Sequence, residues 1–306
     1  MGADAAYNIL VTGASGLVGR ALEPLLKQAG HRLFKLTRSN DPKSLSDWQW
    51  CPEEGAVRLG DAPIDAVVHL AGANIAGGRW TAERKRRLTT SRTHATRGLC
   101  EALIGEGRTP PKVFVSASGV GFYGDRGDAL LREDSSRGEG FLASLAQHWE
   151  EASAPLAGRG TRVVHARLGM VLSLSGGALA KMTPPFRFGL AGRMGPGSQY
   201  WSWIALEDAV GFFAHAVADA RFRGAFNVVA PDLVTNREFT RALARALKRP
   251  VGPPLPSGAV RALFGLMGQE VFLGSTRAEP AKLLELGFPY QHPKLAELFT
   301  SLFQKP

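Results

Sequence analysis

Three glycines near the start of the chain have the spacing of an anion-binding turn. Gly13, Gly16 and Gly19 follow the apolar run Ile9–Val11 and precede a segment with apolar residues at helical spacing. The apolar run indicates a buried parallel strand, so the glycines fall in a strand-to-helix turn. Gly13 and Gly16 would allow backbone dihedrals closed to other residues, and Gly19 would let the helix lie near the strand. Free N–H groups at the start of the helix favour a phosphate, most simply a dinucleotide pyrophosphate; the alternative is a plain structural turn.

The end of the second predicted strand indicates which dinucleotide would bind. Residues 31–38 follow Gly30, a natural helix stop, and are predicted to form this strand. An NAD-selective site carries Asp or Glu at this strand end to bind the ribose 2′-hydroxyl, whereas this chain has Thr37 and Arg38. A guanidinium suits a 2′-phosphate, so the sequence favours NADP over NAD. The alternative is that Arg38 is an exposed loop residue.

Hydroxyl groups follow another predicted strand. Residues 112–118 have the pattern of a buried strand with Ser116 and Ser118 at its carboxyl end, and Tyr123 lies in the loop beyond. Ligands bind at the carboxyl ends of strands in open α/β sheets, so these hydroxyls are candidate site groups. Either serine would alternatively cap a turn.

Strands and helices alternate over most of the chain, which predicts an α/β fold. Further buried strands are predicted at residues 65–72, 161–171 and 224–229. We expect a Rossmann-type doubly wound parallel sheet with a smaller, mostly helical C-terminal substrate domain. Composition changes after Pro231, where a capping box, Thr235 to Glu238, opens a series of short helices.

These features give predicted domain boundaries. Residues 1–175 and 206–230 would form the NADP-binding domain, and residues 176–205 and 231–306 the substrate-side domain. Residues 176–199 are rich in glycine, with basic and apolar side chains interleaved, and are too long for a mere turn. They suit an anionic or nucleotide-linked small molecule; the alternative is a mobile surface loop.

Composition limits the class of protein. The chain has 306 residues, of which 44% are hydrophobic and 21% charged, which is ordinary for a soluble globular protein. We find neither an apolar run of the roughly 20 residues that a membrane helix needs nor a signal peptide, and we expect a cytoplasmic protein with no membrane partner. Cys51 and Cys100 lie too far apart for a metal knuckle and are too few for a disulfide framework. We therefore predict no metal site.

The net charge of +10 is concentrated between Arg79 and Arg97. This run has no interleaved aromatic residues for base stacking, so we expect no nucleic-acid partner. A solvated helix face is the first interpretation. The alternative is that one or two of these arginines turn inward onto a phosphate of the cofactor or substrate.

Motifs along almost the whole chain resemble one family. The turn from Thr12 to Gly19 is similar to that of extended short-chain dehydrogenases/reductases, which bind a nicotinamide dinucleotide. The resemblance narrows to the atypical subgroup of NAD-dependent epimerase/dehydratase-like "epimerase family proteins", also described as SulA-type cell division inhibitors. The quoted segments are residues 69–75, Arg79-Trp80, Ser91-Arg92, residues 116–124, 141–150 and 176–179, Trp203-Ile204 with Asp208, and Ala230-Pro231.

The resemblance implies site residues. The extended branch has a catalytic serine at the end of the strand 112–118, so Ser118 is the first candidate and Ser116 the second. Tyr123 would lie over the nicotinamide side as a pocket wall or proton donor. The implied cofactor-binding residues are Gly13, Ser15, Gly16, Leu17, Val18, Gly19, Thr37, Arg38, Leu70, Ala71, Gly72, Arg92 and Val171.

One expected motif is absent. Active members of the superfamily use Tyr-x-x-x-Lys on a helix, where the ammonium lowers the pKa of the phenol for proton exchange. Here the corresponding positions are Phe141 and Leu145, so the motif is absent from this helix. We therefore expect an NADP(H)-dependent oxidoreductase or nucleotide-sugar epimerase with an atypical active site built on Ser118 and Tyr123. The alternative function is that of a non-catalytic NADP(H)-binding sensor. A homodimer is compatible with either function.

Overall fold

The computed structural model describes residues 6–39, 41, 47–105 and 107–303. The strands are β1 (Asn8–Thr12), β2 (Arg32–Arg38), β3 (Gln49–Cys51), β4 (Ala56–Arg58), β5 (Ala66–His69), β6 (Val113–Gly119), β7 (Leu130–Leu131), β8 (Arg162–Leu168), β9 (Met170–Leu172), β10 (Trp203–Ala205), β11 (Gly224–Val228) and β12 (Arg277–Ala278). The α-helices are α1 (Leu17–Gln28), α2 (Ala82–Thr90), α3 (Thr93–Leu103), α4 (Phe141–Glu151), α5 (Ala154–Ala157), α6 (Gly177–Arg187), α7 (Leu206–Ala218), α8 (Asn236–Ala246), α9 (Ser257–Met267), α10 (Ala281–Glu285) and α11 (Leu295–Phe303).

The large sheet has the strand order β11-β8-β6-β5-β1-β2-β3-β4, and only the pair β3/β4 is antiparallel. The chain moves outward from β1 in one direction through β2 and β3, and in the other through β5, β6, β8 and β11. The strand order therefore reverses between β1 and β5, which is where such sheets bind ligands. The predicted doubly wound α/β fold is confirmed.

Helices cover both faces of this sheet because the side chains of each strand alternate between the faces. On β1, Ile9 and Val11 pack in one buried cluster with α1 and α7 residues such as Leu22 and Phe212. Leu10, between them, packs in another cluster with α3. Burial on both faces explains why residues 9–11 of β1 and residues 66–68 of β5 are wholly apolar.

The C-terminal part is mostly helical. Helices α6, α8 and α11 pack around buried Trp201, Phe239 and Phe299. The predicted capping box of α8 is confirmed, because the Thr235 hydroxyl accepts from the N–H of Glu238 while the Glu238 carboxylate accepts from the N–H of Thr235. The predicted domain boundaries stay a prediction, and their outermost residues, 1–5 and 304–306, lie outside the described chain.

Helix α6 was not expected from the glycine-rich segment 176–199. Pro184 and Pro185 lie inside it. They are tolerated close to its end, where each removes one backbone N–H and the following residues already form a turn. In the part of the chain that the structure describes, no helix is both long and apolar enough to cross a bilayer.

Candidate cofactor and active site

The glycine turn packs directly against the end of β5. Gly13 has φ +68°, and a Cβ there would lie 2.7 Å from the carbonyl carbon of Leu70. A Cβ on Gly19 would lie 2.5 Å from the carbonyl oxygen of Gly13. Gly16 has φ −74° in the extended region, so the expectation that it needs unusual dihedrals is wrong. Two of the glycines are thus required by close approach of backbone, and Gly16 keeps the start of α1 open.

The N-terminus of α1 has free capacity for an anion. Its N-cap Gly16 provides no side-chain cap, and the first turn, which includes Leu17 and Val18, contains no acidic residue. Ser15 and Gly16 are exposed. The unpaired N–H groups and the positive end of the helix dipole therefore face outward. This is the arrangement that binds a pyrophosphate in dinucleotide-binding folds.

Arg92 supplies a buried cation beside Gly72, just after the end of β5. Its side chain donates to the carbonyl oxygens of Leu88 (3.3 Å) and Ala73 (2.9 Å), and its guanidinium carbon lies 4.9 Å from the centre of the Trp149 ring. Burial lowers the pKa of Arg92 to about 10. None of the described residues offers it a carboxylate within ion-pair distance. A Cβ on Gly72 would lie 3.1 Å from the guanidinium, so a ligand passing Gly72 would meet this charge.

Two further predicted cofactor residues meet at the start of α6. A Cβ on Gly177 would lie 3.2 Å from Leu17 Cδ2 and 3.5 Å from the carbonyl oxygen of Val171. At the end of β2, the Thr37 hydroxyl donates to the carbonyl oxygen of Trp48 at 3.3 Å. Arg38 is exposed and has no hydrogen bond or ion pair to the described residues. Its guanidinium is therefore available to a ligand.

His69 belongs to the structure of the site rather than to its chemistry. Its ring nitrogens lie 2.7 Å from the Thr12 hydroxyl and 2.9 Å from the Thr96 hydroxyl. The Thr12 hydroxyl also accepts from the N–H of Ala71, and Thr96 accepts from the Trp149 indole N–H. Burial lowers the pKa of His69 to about 3, so the ring is neutral. The interpretation of His69 as a packed strand residue is confirmed, and its network fixes Ala71.

Ser118 lies at the carboxyl end of β6 beside an ion pair. Its hydroxyl donates to Glu150 Oε1 at 2.7 Å. The Glu150 carboxylate accepts from Nε and an Nη of Arg167, both at 2.9 Å. The hydroxyl of Ser116, by contrast, bonds only to the neighbouring carbonyl of Ala117, at 3.0 Å. The first candidate serine therefore has a charged partner, and the second does not.

The side chain of Tyr123 faces the protein interior and not the loop over the cofactor where the sequence placed it. It is completely buried, and its hydroxyl lies 2.7 Å from Asn227 Oδ1 and 3.0 Å from the Arg132 carbonyl oxygen. Arg167 donates to the same hydroxyl at 2.9 Å. Desolvation raises the pKa of Tyr123, which opposes release of the proton. The Tyr123 proton is committed to protein acceptors, because a phenol has only one to give.

Helix α4 carries Phe141 and Leu145, the two positions that the resemblance in sequence aligns with the Tyr-x-x-x-Lys motif. Both pack in an apolar cluster with Trp80 and Met267, and the rings of Trp80 and Phe141 lie edge to face at 5.1 Å. The Glu270 carboxylate, from the C-terminal part, accepts from the N–H groups of Phe141 (3.0 Å) and the next residue (2.8 Å). The start of α4 is thus capped by Glu270 from a distant segment, and the side chains of Phe141 and Leu145 pack in an apolar cluster.

Sequence reasoning missed the roles of Glu150, Arg167 and Glu270. One signal was available for Glu150: it follows Ala143 and Ala146 at helical spacing and so continues the buried face of α4. An acidic residue on a buried face needs a cationic partner. No local pattern identifies that partner as Arg167 or the cap as Glu270, because both contacts join distant segments.

Comparisons with known proteins agree with this geometry. Residues 9–229 match the model of the NAD dependent epimerase/dehydratase family. The chain belongs to this family. Residues 255–302 match a domain of unknown function, DUF1731. Family members with similar sequences include the epimerase family protein Mb2239 of Mycobacterium bovis, 41% identical over 94% of this chain and 95% of the relative. Human epimerase family protein SDR39U1 is 36% identical over 94% of this chain and 96% of the relative.

Two solved structures superpose on nearly the whole chain. A crystal structure of human SDR39U1 (isoform 2) with NADPH has a TM-score of 0.87 and 34% identity, and covers 98% of this chain and 100% of that chain. UDP-glucuronic acid 4-epimerase from Bacillus cereus, with UDP-glucuronic acid and NAD, has a TM-score of 0.71 and 15% identity over 97% of this chain and 98% of that one. The second likeness concerns the fold alone.

Proposed function

We propose that this family member binds NADPH and acts as an NADP(H)-dependent oxidoreductase or epimerase on a small molecule. The observation that carries the proposal is the buried Arg92 guanidinium, which lacks a carboxylate partner among the described residues and lies beside Gly72, two residues after the Leu70 carbonyl that Gly13 approaches. A buried charge costs free energy unless an opposite charge meets it, and a pyrophosphate would supply that charge.

The residues of the site fit each part of NADPH. The turn from Gly13 to Gly19 and Arg92 would hold the pyrophosphate, Thr37 and Arg38 the 2′-phosphate, and Leu70, Ala71 and Val171 the ribose and nicotinamide side. The human relative crystallised with NADPH supports the choice of the phosphorylated coenzyme. When bound, the coenzyme supplies a hydride, and this chain must supply orientation and the proton.

We propose Ser118 as the hydroxyl that handles the proton and Glu150 as its positioning partner. Ser118 lies at the strand edge where ligands bind, and its hydroxyl donates to Glu150. Arg167 holds the carboxylate in place through two hydrogen bonds. Tyr123, the other sequence candidate, lies beyond Arg167 and braces it from the opposite side. This assignment gives Ser118 the contact with substrate and leaves Tyr123 a structural role.

Arg92→Met tests the proposal through binding, and a substrate panel tests it through turnover. Loss of a charge-assisted hydrogen bond costs about 1.5–3 kcal/mol, so NADPH affinity should fall roughly 10- to 100-fold. Arg97→Met, exposed on α3, is the matched control and should bind as the parent does. Consumption of NADPH with a member of a panel of aldehydes, ketones and sugar nucleotides would support an oxidoreductase or epimerase. Unchanged affinity in Arg92→Met would refute the cofactor assignment.

A second candidate function is NADPH binding without turnover, as a sensor that reports cofactor state. The observation that favours it is the apolar environment of Phe141 and Leu145, which leaves helix α4 without a titrating group at the usual place. Tight NADPH binding together with no consumption of NADPH across the panel would favour the sensor. Steady turnover of any panel member eliminates it.

A further inference from the structure

Two adjoining cavities lie in the C-terminal part, between α6, α8 and the proline-rich segment 250–256. The first, the apolar cavity, has a volume of about 300 Å³. Its walls include Met182, Phe186, Met194, Trp201, Phe239 and Leu255. The second, the arginine cavity, has a volume of about 400 Å³ and is lined by Arg193, Arg237 and Arg241. Thr240 and Pro254 line both, so the cavities share a wall.

The apolar cavity is large enough for a chain or a ring system. An apolar cavity of about 150 Å³ accepts benzene, and this one has twice that volume. Leu190 lines it although its side chain is 70% exposed, so it stands at the mouth. Asn236 also lines the cavity, but its Oδ1 already accepts from the N–H of Met194 at 2.8 Å. A sugar placed here would leave most of its hydroxyls unpaired, which is costly.

The arginine cavity gathers three guanidinium groups, none of which has a carboxylate within ion-pair distance among the described residues, although Glu238 interacts with Arg241 and Arg237 at longer range. Arg193 donates to the carbonyl oxygen of Gly195, and Arg237 to that of Pro196 at 3.0 Å. Arg241 has no hydrogen bond or ion pair to any residue that the structure describes. The acidic residue nearest along α8, Glu238, is engaged in the capping box. An anion in this cavity would therefore lie near the guanidinium groups of Arg193 and Arg237, which are each bonded to a carbonyl oxygen, and near that of Arg241, whose side chain has no bond to the described residues.

Thr240 marks the boundary between the two environments. The residue is only 2% exposed, and its hydroxyl makes no hydrogen bond to the described parts of the chain. Because Thr240 lines both cavities, a ligand with a polar atom at the shared wall would satisfy it.

We propose that the two cavities form one binding site for an amphiphilic anion. The apolar chain or ring of the ligand occupies the apolar cavity. Its carboxylate, sulfonate or phosphate head binds Arg241 and Arg237 and accepts from the Thr240 hydroxyl. Helix α6 connects this site to the proposed cofactor site, since its first residue contacts Leu17 and its last turn, at Phe186, lines the apolar cavity. The proposal goes beyond NADPH-dependent chemistry, because binding here requires no turnover.

Displacement of a fluorescent probe tests the site in the full-length protein. Anilinonaphthalene sulfonate has an apolar ring body and an anionic head, and decanoate should displace it in a saturable manner. Decanol tests the apolar cavity without charge, and inorganic phosphate tests the arginines without a chain. Decanoate should bind at least about 10-fold more tightly than either, because only decanoate uses both cavities.

Three variants locate the site. Arg241→Gln should weaken decanoate roughly 10-fold and leave decanol unchanged, since it removes one charge-assisted hydrogen bond. Arg245→Gln, one turn further along α8 and outside both cavities, is the matched control and should change neither. Ala191→Trp fills the apolar cavity and should weaken both ligands. NADPH binding measured on the same samples shows that each variant is folded and separates failure here from failure of the proposed cofactor site.

The following results would overturn the proposal. One is the absence of saturable displacement by decanoate. Another is an equal effect of Arg241→Gln and Arg245→Gln, which would indicate unspecific attraction to a basic surface. A third is phosphate competing as well as decanoate, and a fourth is binding to phosphatidylglycerol vesicles without a saturable decanoate site.

Discussion

The hydroxyl of Ser118 donates a hydrogen bond of 2.7 Å to the carboxylate of Glu150. Because the same carboxylate is bound by Arg167 through two nitrogens, the contact joins the ends of two central strands to α4. The resemblance in sequence predicts that the usual acid–base pair of the superfamily would lie on this helix. Here, the only titrating group that the helix directs at the serine is a carboxylate already neutralised by an arginine. Ser118 thus becomes the centre of the proposed chemistry.

Ser118→Ala should lower turnover by about two orders of magnitude or more, the usual contribution of a positioned proton-transfer group. NADPH affinity should remain unchanged, because Ser118 is not among the residues proposed to hold the coenzyme. The measurement is the initial rate with an active substrate beside a binding isotherm. Ser116→Ala is the matched control, since that hydroxyl bonds only to the adjacent carbonyl. Equal rates for the two variants would remove the role of Ser118.

Tyr123→Phe should lower stability and leave chemistry nearly intact. The change leaves Asn227 Oδ1 without its donor in the interior, whereas the Arg167 nitrogen keeps the carbonyl oxygen of Glu133 as a partner. An unsatisfied buried polar group costs about 1–3 kcal/mol, and the free energy of unfolding should fall by that amount. Urea denaturation gives the stability and initial rates the chemistry. A large loss of rate in a stably folded variant would restore Tyr123 as the proton donor.

Arg38→Asp should shift coenzyme preference from NADPH toward NADH. The change removes the cation proposed for the 2′-phosphate and supplies the carboxylate that binds a ribose 2′-hydroxyl. Calorimetric titration with each coenzyme measures the ratio of affinities, which should move at least about 10-fold. Arg32→Asp is the control, because Arg32 is exposed at the other end of the same strand, 4.9 Å above the Phe34 ring. A similar shift in both variants would indicate only a change in net charge.

Stability should depend on pH through His69. Burial lowers the pKa of His69 to about 3 in the folded protein, from 6.5. As the pH falls, the His69 ring is therefore protonated in the unfolded chain before it is protonated in the folded protein. Its contribution to the free energy of unfolding is fully present above about pH 6.5 and is lost as the pH falls toward about 3. A change from about pH 7 to about pH 5 should lower the free energy of unfolding by about 2 kcal/mol through His69.

The comparison of wild type with His69→Asn measures that contribution. Urea denaturation at the two pH values should show a smaller pH dependence in the variant, by about 2 kcal/mol. The pKa values of His31 and His165 are also lowered by burial, but both residues remain in each protein, so the difference isolates His69. An identical pH dependence in the two proteins would show that His69 is already protonated or exposed.

The sequence was sufficient for the sheet and the glycine turn because their signals are local. Apolar runs predicted β1, β5 and β6, and the spacing of Gly13 and Gly19 predicted a close-packed turn that the structure shows. Local patterns also predicted the cap at Thr235.

The sequence failed where contacts join distant segments or where a rule has an exception. Tyr123 was placed beside the cofactor, because nothing in its neighbourhood indicates that Asn227, 104 positions away, binds its hydroxyl. Glu270 caps α4 from 129 positions away. Helix α6 was missed because two prolines argue against a helix, although their position near its end makes them tolerable.

The most direct test of the central claim is calorimetric titration of the purified protein with NADPH and, separately, with NADH. We predict saturable binding of NADPH at one site per chain, at least about 10-fold tighter than that of NADH, because Arg38 is available for the extra phosphate. Absence of binding with either coenzyme, or tighter binding of NADH, would contradict the account.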